Sequence, residues 1–414
     1  RLFDCGLGLV FCRLLLAIFD ATQAVVCIGS LVSSAFQETF GVREGAVESP
    51  HLSNMYIDPL RTRLEAEHPR LCKLLHVVIA VLLYADDAAL PADSADDLAL
   101  SAAIFESFCN DMRLFIAVPK TFVTVFHDAQ DDGVVYNTHD KTVTVEGRPV
   151  QIHIYGCLVA ATPVFKYLGV HLSSDGQAET HMTARASAFQ RACNLLCSGL
   201  LRMPGFPHAL SRYLWSSLVL PTATYGVELF SWSGRQVTTF SKIQNNALRR
   251  VLRVGGRAPT DVIWSLSRPE DLEVEWRANR VSHLLRLVNS SADSWQHAAL
   301  VYFHYARTQW YLDACADLAV ALPHASLHVV ATLAGPLMCS SGSWFESGWW
   351  QSALAYQLPA DLSGRRRRTP THLGTSVSRA SEQHAVRCHV RTVRWVLKRR
   401  LNRESEMLKL ASIR

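Results

Sequence analysis

The stretch VVIAVLLYADDAALPA, residues 77 to 92, constrains this chain more than any other. Its β-branched and aliphatic residues require burial, whereas the adjacent Asp86 and Asp87 repel each other and cannot be buried without a partner. Both requirements are met where a strand leaves a core, turns at the surface and returns, so the segment is expected to be a hairpin with acids at its tip. Divalent cations relieve the repulsion. Two Mg²⁺ ions about 3.5 to 4 Å apart, held by carboxylates, activate an attacking hydroxyl and stabilise a leaving pyrophosphate. Two acids at a turn are by themselves more often an ordinary surface turn; the long apolar run before them reverses the balance towards the metal-binding alternative.

The rest of the composition narrows the class. At 414 residues, 49% hydrophobic and 19% charged, the chain has material for two or three packed domains. Eleven cysteines are scattered from Cys5 to Cys388. Their only close pair, Cys193 and Cys197, lies one helical turn apart, which suits neither a disulfide framework nor a zinc knuckle. Free thiols in apolar surroundings point to a reducing compartment, nuclear or cytoplasmic. The longest apolar run, Leu74 to Leu83, is about half the length needed to cross a bilayer, so no membrane partner is expected. The opening RLFDCGLGLVFCRLLLAIF is interrupted by Asp4 and Arg13 and reads as a buried helix or strand rather than a signal sequence. Starting in mid-pattern, it suggests that an N-terminal part of a longer protein is missing.

Charge is unevenly placed. Residues 362 to 414 carry fourteen Lys and Arg against three Asp and Glu, so the net +5 divides into +11 there and −6 over residues 1 to 361. Arg365 to Arg368, and Arg391, Arg394, Lys398, Arg399 and Arg400 around Trp395, suit phosphates and a stacked base; a solvated face of a basic helix is the alternative.

The periodicity alternates between strand and helix, which indicates an α+β fold. Val25 to Phe36 reads as strand-like. Ser49 with Pro50 reads as an N-cap and first helical position of a helix running towards Leu60. DSADDLALSAAIFESFCNDM turns helical after a Ser94 cap, with Ile104, Phe108 and Met112 on one face. Residues 121 to 126, 142 to 154 and 165 to 172 are strand candidates. Met182, Ala186, Phe189, Cys193, Leu196 and Leu200 mark a long helix. Further helices are expected from Ala209 to Leu220, ended or bent by Pro221, and from Thr239 to Leu252. Residues 290 to 360 carry no motif, and no internal repeat is visible.

YADD at Tyr84 to Asp87 resembles the metal-binding motif of reverse transcriptases, and its flanks resemble the non-LTR (LINE-type) retrotransposon enzymes. FGVREGAVESPHLSNMYIDPL, Phe40 to Leu60, is similar to the family's loop and helix that contact template and incoming nucleotide. LFIAVPKT, Leu114 to Thr121, resembles the segment with a lysine and threonine after the palm helix, and FKYLGVHLSSDG, Phe165 to Gly176, the hairpin that grips the primer. LPTATYGVELF and IQNNALRRVLRV look like the helices that follow the polymerase core. The resemblance implies a partial right-hand palm, an antiparallel sheet flanked by helices, over residues 1 to 176. Thumb-like helices would follow over 177 to 290, and a mostly helical region with a basic tail over 291 to 414. It implies an RNA-directed DNA polymerase working on an RNA template, a DNA primer and dNTPs with two Mg²⁺ ions. Asp86 and Asp87 would be the metal ligands, Asp86 the more direct, with Tyr84 near the primer terminus. Lys120 would assist protonation of the leaving pyrophosphate. Arg43, Gly45 and Ser49 would lie along template or triphosphate, and Lys166, Tyr167 and Gly169 along the primer. Lys120 and Arg43 have plain alternatives, as a solvated turn lysine and a surface loop arginine.

Several positions depart from the family pattern. Glu44 stands where glutamine is usual, Val47 and Glu48 where Pro-Leu is, and Arg113 and Ala117 where glycine and asparagine are. The family's first catalytic aspartate should lie some fifty or more residues before GVREG. Asp4 and Asp20 are the only upstream aspartates, so that segment is expected to precede Arg1 and this chain is expected to be inactive alone. The competing readings are a non-enzymatic nucleic-acid-binding transposon remnant and an unrelated α/β protein whose hairpin holds a structural metal.

Overall fold

The computed structural model describes residues 6, 8–20, 22–37, 46–128, 133–198, 208–267, 269–288, 290–291 and 293–321. The GVREG loop with Arg43 and Gly45, the acid Asp4, and the basic stretches at 365–368 and 391–400 lie outside these residues. Helices and strands are mixed, as the alternating periodicity implies. The chain divides into two units: Arg1–Lys73, Val78–Val123 and Asn137–Ala161 form one, and Leu74–Val77, Thr124–Tyr136 and Thr162–Arg414 the other.

In the first unit, helix α1 (Leu9–Asp20) buries only Cys12 and Leu15. The opening segment is therefore helical but not a buried helix, because Leu9, Val10, Phe11, Leu14, Leu16 and Ile18 are exposed. Val25 to Phe36 is not one strand. It folds into nested two-residue ladders, Gln23–Ala24 with Phe36–Gln37 and Cys27–Ile28 with Leu31–Val32. Gly29 at φ +62 lets the chain reverse between them.

Helix α2 (Ser49–Ile57) starts one residue before the expected position, with Glu48 rather than Ser49 as its N-cap. The Ser49 hydroxyl is buried without a hydrogen-bond partner, so it caps nothing. A break at Asp58 and a second proline start α3 (Pro59–Glu67), so the expected single helix is two. Helix α4 (Ala95–Asp111) begins as its sequence signals: Ser94 Oγ accepts the Asp97 N–H at 3.1 Å. Ile104, Phe108 and Met112 enter one core with Leu60, Leu64, Ala80 and Val123, and Val81 and Leu83 pack against it.

The described strands do not join into the single antiparallel sheet that a palm calls for. Among the described residues they form seven two-stranded sheets and one three-stranded sheet. Most are hairpins of two to four residues per strand, and Ala160–Ala161 pairs in parallel with Phe122–Val123.

The second unit is mainly helical. Hairpin Val164–Tyr167 and Val170–Ser173 precedes α5 (Glu179–Ser198), whose stripe Met182, Phe189, Cys193 and Leu196 is buried as its spacing predicts. Burial pushes the Cys193 thiol up to about 12 and raises that of Cys197, so both serve as small apolar groups. Helix α6 (His208–Leu214) does not end at Pro221. A π-helical turn over Trp215–Val219 intervenes, and α7 (Leu220–Thr224) carries Pro221 in its first turn. Helical backbone continues through Val219 and Leu220, so Pro221 lies within one helical run from His208 to Thr224, where the π-helical turn shifts the register just before it. Helix α8 (Gly234–Val251) starts five residues before the expected Thr239, because Ser233 and Gln236 form a reciprocal capping box. Phe189, Phe240 and Trp276 pack ring on ring at its centre.

Helices α9 (Thr260–Ser267), α10 (Leu272–Val288), α11 (Trp295–Tyr305) and α12 (Gln309–Ala321) complete the description. Arg277 and Arg280 of α10 meet Asp313 and Asp317 of α12 in a buried network. No described helix is long and apolar enough to cross a membrane.

Candidate active site

The acidic pair sits where the sequence places it. Leu82–Tyr84 and Asp87–Ala89 form an antiparallel hairpin in the register Leu82 to Ala89, Leu83 to Ala88 and Tyr84 to Asp87. Ala85 and Asp86 make the two-residue turn, with Ala85 at φ 54 in the left-handed region. Alternation puts Leu83 and Ala88 on one face, and Leu83 packs against the first unit's core. Tyr84 and Asp87 share the other face, and Tyr84, Asp86 and Asp87 are all exposed. A core-anchored stem therefore presents two consecutive carboxylates to solvent.

Neither Asp86 nor Asp87 forms an ion pair with a described cationic side chain. Hard, adjacent, exposed oxygen donors fit a hard divalent cation such as Mg²⁺. They supply two carboxylates, and the described residues contain no group of three or more His, Cys, Asp or Glu able to hold a metal. Asp20, the upstream acid within the described residues, ends α1 with its side chain exposed.

The other candidates are distributed. Lys120 closes the 3₁₀ turn Val118–Lys120 in the first unit and is exposed, without an ion pair to either aspartate. Ser49 is 6% exposed at the start of α2. Lys166, Tyr167 and Gly169 lie on the hairpin of the second unit, where Lys166 is exposed and pairs in register with His171. Leu168 at φ 47 and Gly169 at φ 82 form its turn, and a Cβ at Gly169 would come 3.0 Å from the Tyr225 ring.

That contact introduces residues the sequence did not single out. The Tyr225 hydroxyl donates to the Leu168 carbonyl, fixing the turn from outside. His181, fully buried, accepts the His171 N–H on Nδ1 at 3.2 Å and donates from Nε2 to the Tyr225 carbonyl at 3.0 Å. Burial lowers its pKa, keeping the neutral tautomer these two bonds require. Gly226, at φ +72, lies so close that an added Cβ would be 2.9 Å from Val170 and 3.1 Å from His181. The one available signal was the Tyr-Gly dipeptide in LPTATYGVELF, with a glycine suited to positive φ. Gly226→Ala is expected to lower stability by about 2 kcal/mol, from the left-handed backbone plus overpacking; a urea midpoint equal to that of the parent chain would contradict the tight packing.

No curated protein matches this chain. A family model described as reverse transcriptase (RNA-dependent DNA polymerase) matches residues 15–172, the stretch that holds the acidic hairpin, Lys120 and the turn at Gly169.

Proposed function

We propose that residues 15–172 are the palm portion of an RNA-directed DNA polymerase of the non-LTR retrotransposon type, with residues 1–176, 177–290 and 291–414 as palm, thumb-like helices and C-terminal region. One observation carries the reading: a core-anchored hairpin exposes Asp86 and Asp87 side by side, with no cation paired to them among the described residues, inside the segment matched to that family. The reaction is attack of a primer 3′-hydroxyl on the α-phosphate of a dNTP along an RNA template, which adds the nucleoside monophosphate and releases pyrophosphate, inside a reducing compartment.

The roles follow from chemistry. Asp86 and Asp87 would hold the Mg²⁺ ions, Asp86 more directly. When bound, these supply charge neutralisation for the triphosphate and a lowered pKa for the attacking hydroxyl. Tyr84, on the same face as Asp87, presents a ring beside the primer end. Lys120 Nζ gives a proton to the leaving pyrophosphate oxygen. Lys166, Tyr167 and Gly169 hold the primer strand, with Tyr225 keeping their turn in shape. Arg43, Gly45 and Ser49 serve the template and triphosphate.

The test uses the whole chain with Mn²⁺ as a paramagnetic probe. Millimolar Mn²⁺ is expected to broaden amide signals from Leu82 to Ala89, and Asp86→Asn with Asp87→Asn to abolish the effect. Affinity for an RNA–DNA hybrid should stay within about twofold, because phosphate contacts elsewhere supply it. Absence of broadening, or equal loss of hybrid binding, contradicts the assignment. The chain alone is expected to show no Mg²⁺-dependent primer extension above an Asp86→Asn control, since two carboxylates hold the ions too weakly.

A second reading, a nucleic-acid-binding remnant without catalysis, is favoured by the absence of a third acid grouped with this pair among the described residues. Hybrid binding without Mn²⁺ broadening would select it.

A further inference from the structure

In the first unit, the chain leaving α4 alternates in burial. Met112 and Ile116 enter the core and Leu114 and Val118 pack against it, whereas Arg113, Phe115, Ala117 and Pro119 are exposed. With its neighbours anchored in this way, Phe115 cannot turn inward without drawing Leu114 or Ile116 out of the core. It is 84% exposed. The ring is nevertheless supported. Tyr155 stacks on it, with centroids 5.4 Å apart and planes 13° from parallel. Tyr155 is itself fixed, at φ 51, in the turn between His153–Ile154 and Cys157–Leu158. Its N–H donates to Glu106 Oε2 at 2.9 Å, and its hydroxyl accepts the Ile116 N–H at 3.4 Å. Tyr155 therefore backs one face of Phe115 and leaves the other open.

The charges along the same segment select the occupant. No acid falls between Asp111 and Asp128 in the sequence. Arg113 and Lys120 are exposed and form no ion pair with a described residue. Phe122, 50% exposed, is a second outward ring, since its strand neighbour Val123 is the one that enters the core. Rings interspersed with cations match a chain of planar bases joined by phosphates. An aliphatic protein segment would cover the rings and leave both cations unmatched. Within a duplex the base faces are stacked on one another, so the strand that fits is unpaired.

We infer that Arg113, Phe115 and Tyr155 form a stacking platform for an unpaired nucleotide, its base on the open face of Phe115 and a flanking phosphate at Arg113. The platform rests on the polymerase reading for its class of partner and adds to it a single-strand site apart from the paired primer end. Its failure would leave the Mn²⁺ broadening at the acidic hairpin untouched.

The test binds the whole chain to a short single-stranded RNA containing 2-aminopurine, whose fluorescence falls when the base stacks. Quenching is expected on binding. Phe115→Ala should weaken single-strand affinity about tenfold and remove the quenching, with affinity for a blunt RNA–DNA hybrid within about twofold of the parent chain. Phe115→Leu keeps apolar bulk without a ring and should lose as much, whereas Phe115→Trp should retain both signals. Arg113→Gln should lower the slope of log affinity against log salt by about 0.7, one phosphate contact on a single strand. Phe115→Ala should leave that slope unchanged. All of these changes fall at exposed positions and spare the core. Single-strand affinity unchanged in Phe115→Ala, or equally reduced towards the hybrid, overturns the proposal. So does full affinity in Phe115→Leu, as an apolar protein partner would give, absence of quenching in the parent chain, or an unchanged salt slope in Arg113→Gln.

Discussion

Asp317→Ala is expected to destabilise the helical unit by about 3 to 5 kcal/mol, because it leaves the buried Arg280 guanidinium without its main acceptor. Asp317 is 3% exposed and Arg280 5%. The Asp317 carboxylate accepts from Arg277 Nε at 2.6 Å and from Arg280 Nε and Nη2 at 2.9 and 2.7 Å. Arg280 also reaches Asp313 at 3.2 Å and lies 3.9 Å over the Trp232 ring. Removing the carboxylate leaves one guanidinium buried with a single longer partner and a second guanidinium without its acceptor. Urea unfolding followed by tryptophan fluorescence measures the loss. The double change Arg280→Met with Asp317→Leu removes both charges together and should stay within about 2 kcal/mol of the parent chain. A loss below about 1 kcal/mol for Asp317→Ala would show that water reaches the network.

The second large effect is acid lability. Burial, aided by the neighbouring Arg286 guanidinium, lowers His283 from 6.5 to about 4. The ring packs edge-on against Trp310 at 5.6 Å. Above pH 6.5 this residue is neutral in both folded and unfolded chains and contributes no pH dependence. As pH falls below 6.5 the unfolded chain takes up a proton that the folded chain refuses, so stability declines until about pH 4. The gap corresponds to about 3 kcal/mol. His171, His181 and His297 are lowered for the same first reason, burial, and act in the same direction. His283→Phe is expected to flatten the unfolding free energy between pH 6.5 and 4 relative to the parent chain while leaving the slope above pH 7 unchanged. An identical acid slope in the variant would exclude His283 as its source.

The acidic hairpin was legible in the sequence because a long aliphatic run, two acids and a second apolar run leave few places to turn. Helix α4 was legible from Ser94 and the four-residue spacing of Ile104, Phe108 and Met112, and α5 from its buried stripe. Other features depended on interactions that residue spacing does not encode. The start of α8 was hidden because its apolar stripe begins at Val237, whereas its capping box, Ser233 with Gln236, lies just before. Pro221 read as an end or bend of the helix, yet helical backbone continues past it to Thr224, and the π-helical register change before it leaves no mark in apolar periodicity. The helix at Leu9–Asp20 was expected to be buried because its residues are apolar, but burial requires neighbours, which composition does not supply. For the same reason the aliphatic run suggested a longer strand than the three residues that pair. At the candidate site, Asp86, Asp87 and Tyr84 were legible as a group, whereas the clamp of Tyr225, Gly226 and His181 around the turn at Gly169 joins segments about fifty residues apart and is visible only in three dimensions.

Ala85 gives the acidic turn a property its neighbours in sequence do not suggest. Holding an L-residue at φ 54 costs about 1 kcal/mol that a glycine would not incur, but glycine would also open many more backbone angles. With alanine the directions in which positions 86 and 87 project scatter little. Were the pair to chelate a cation, as proposed, the backbone at both positions would already be in place, and the freedom lost would be that of the two carboxylate side chains and of solvent.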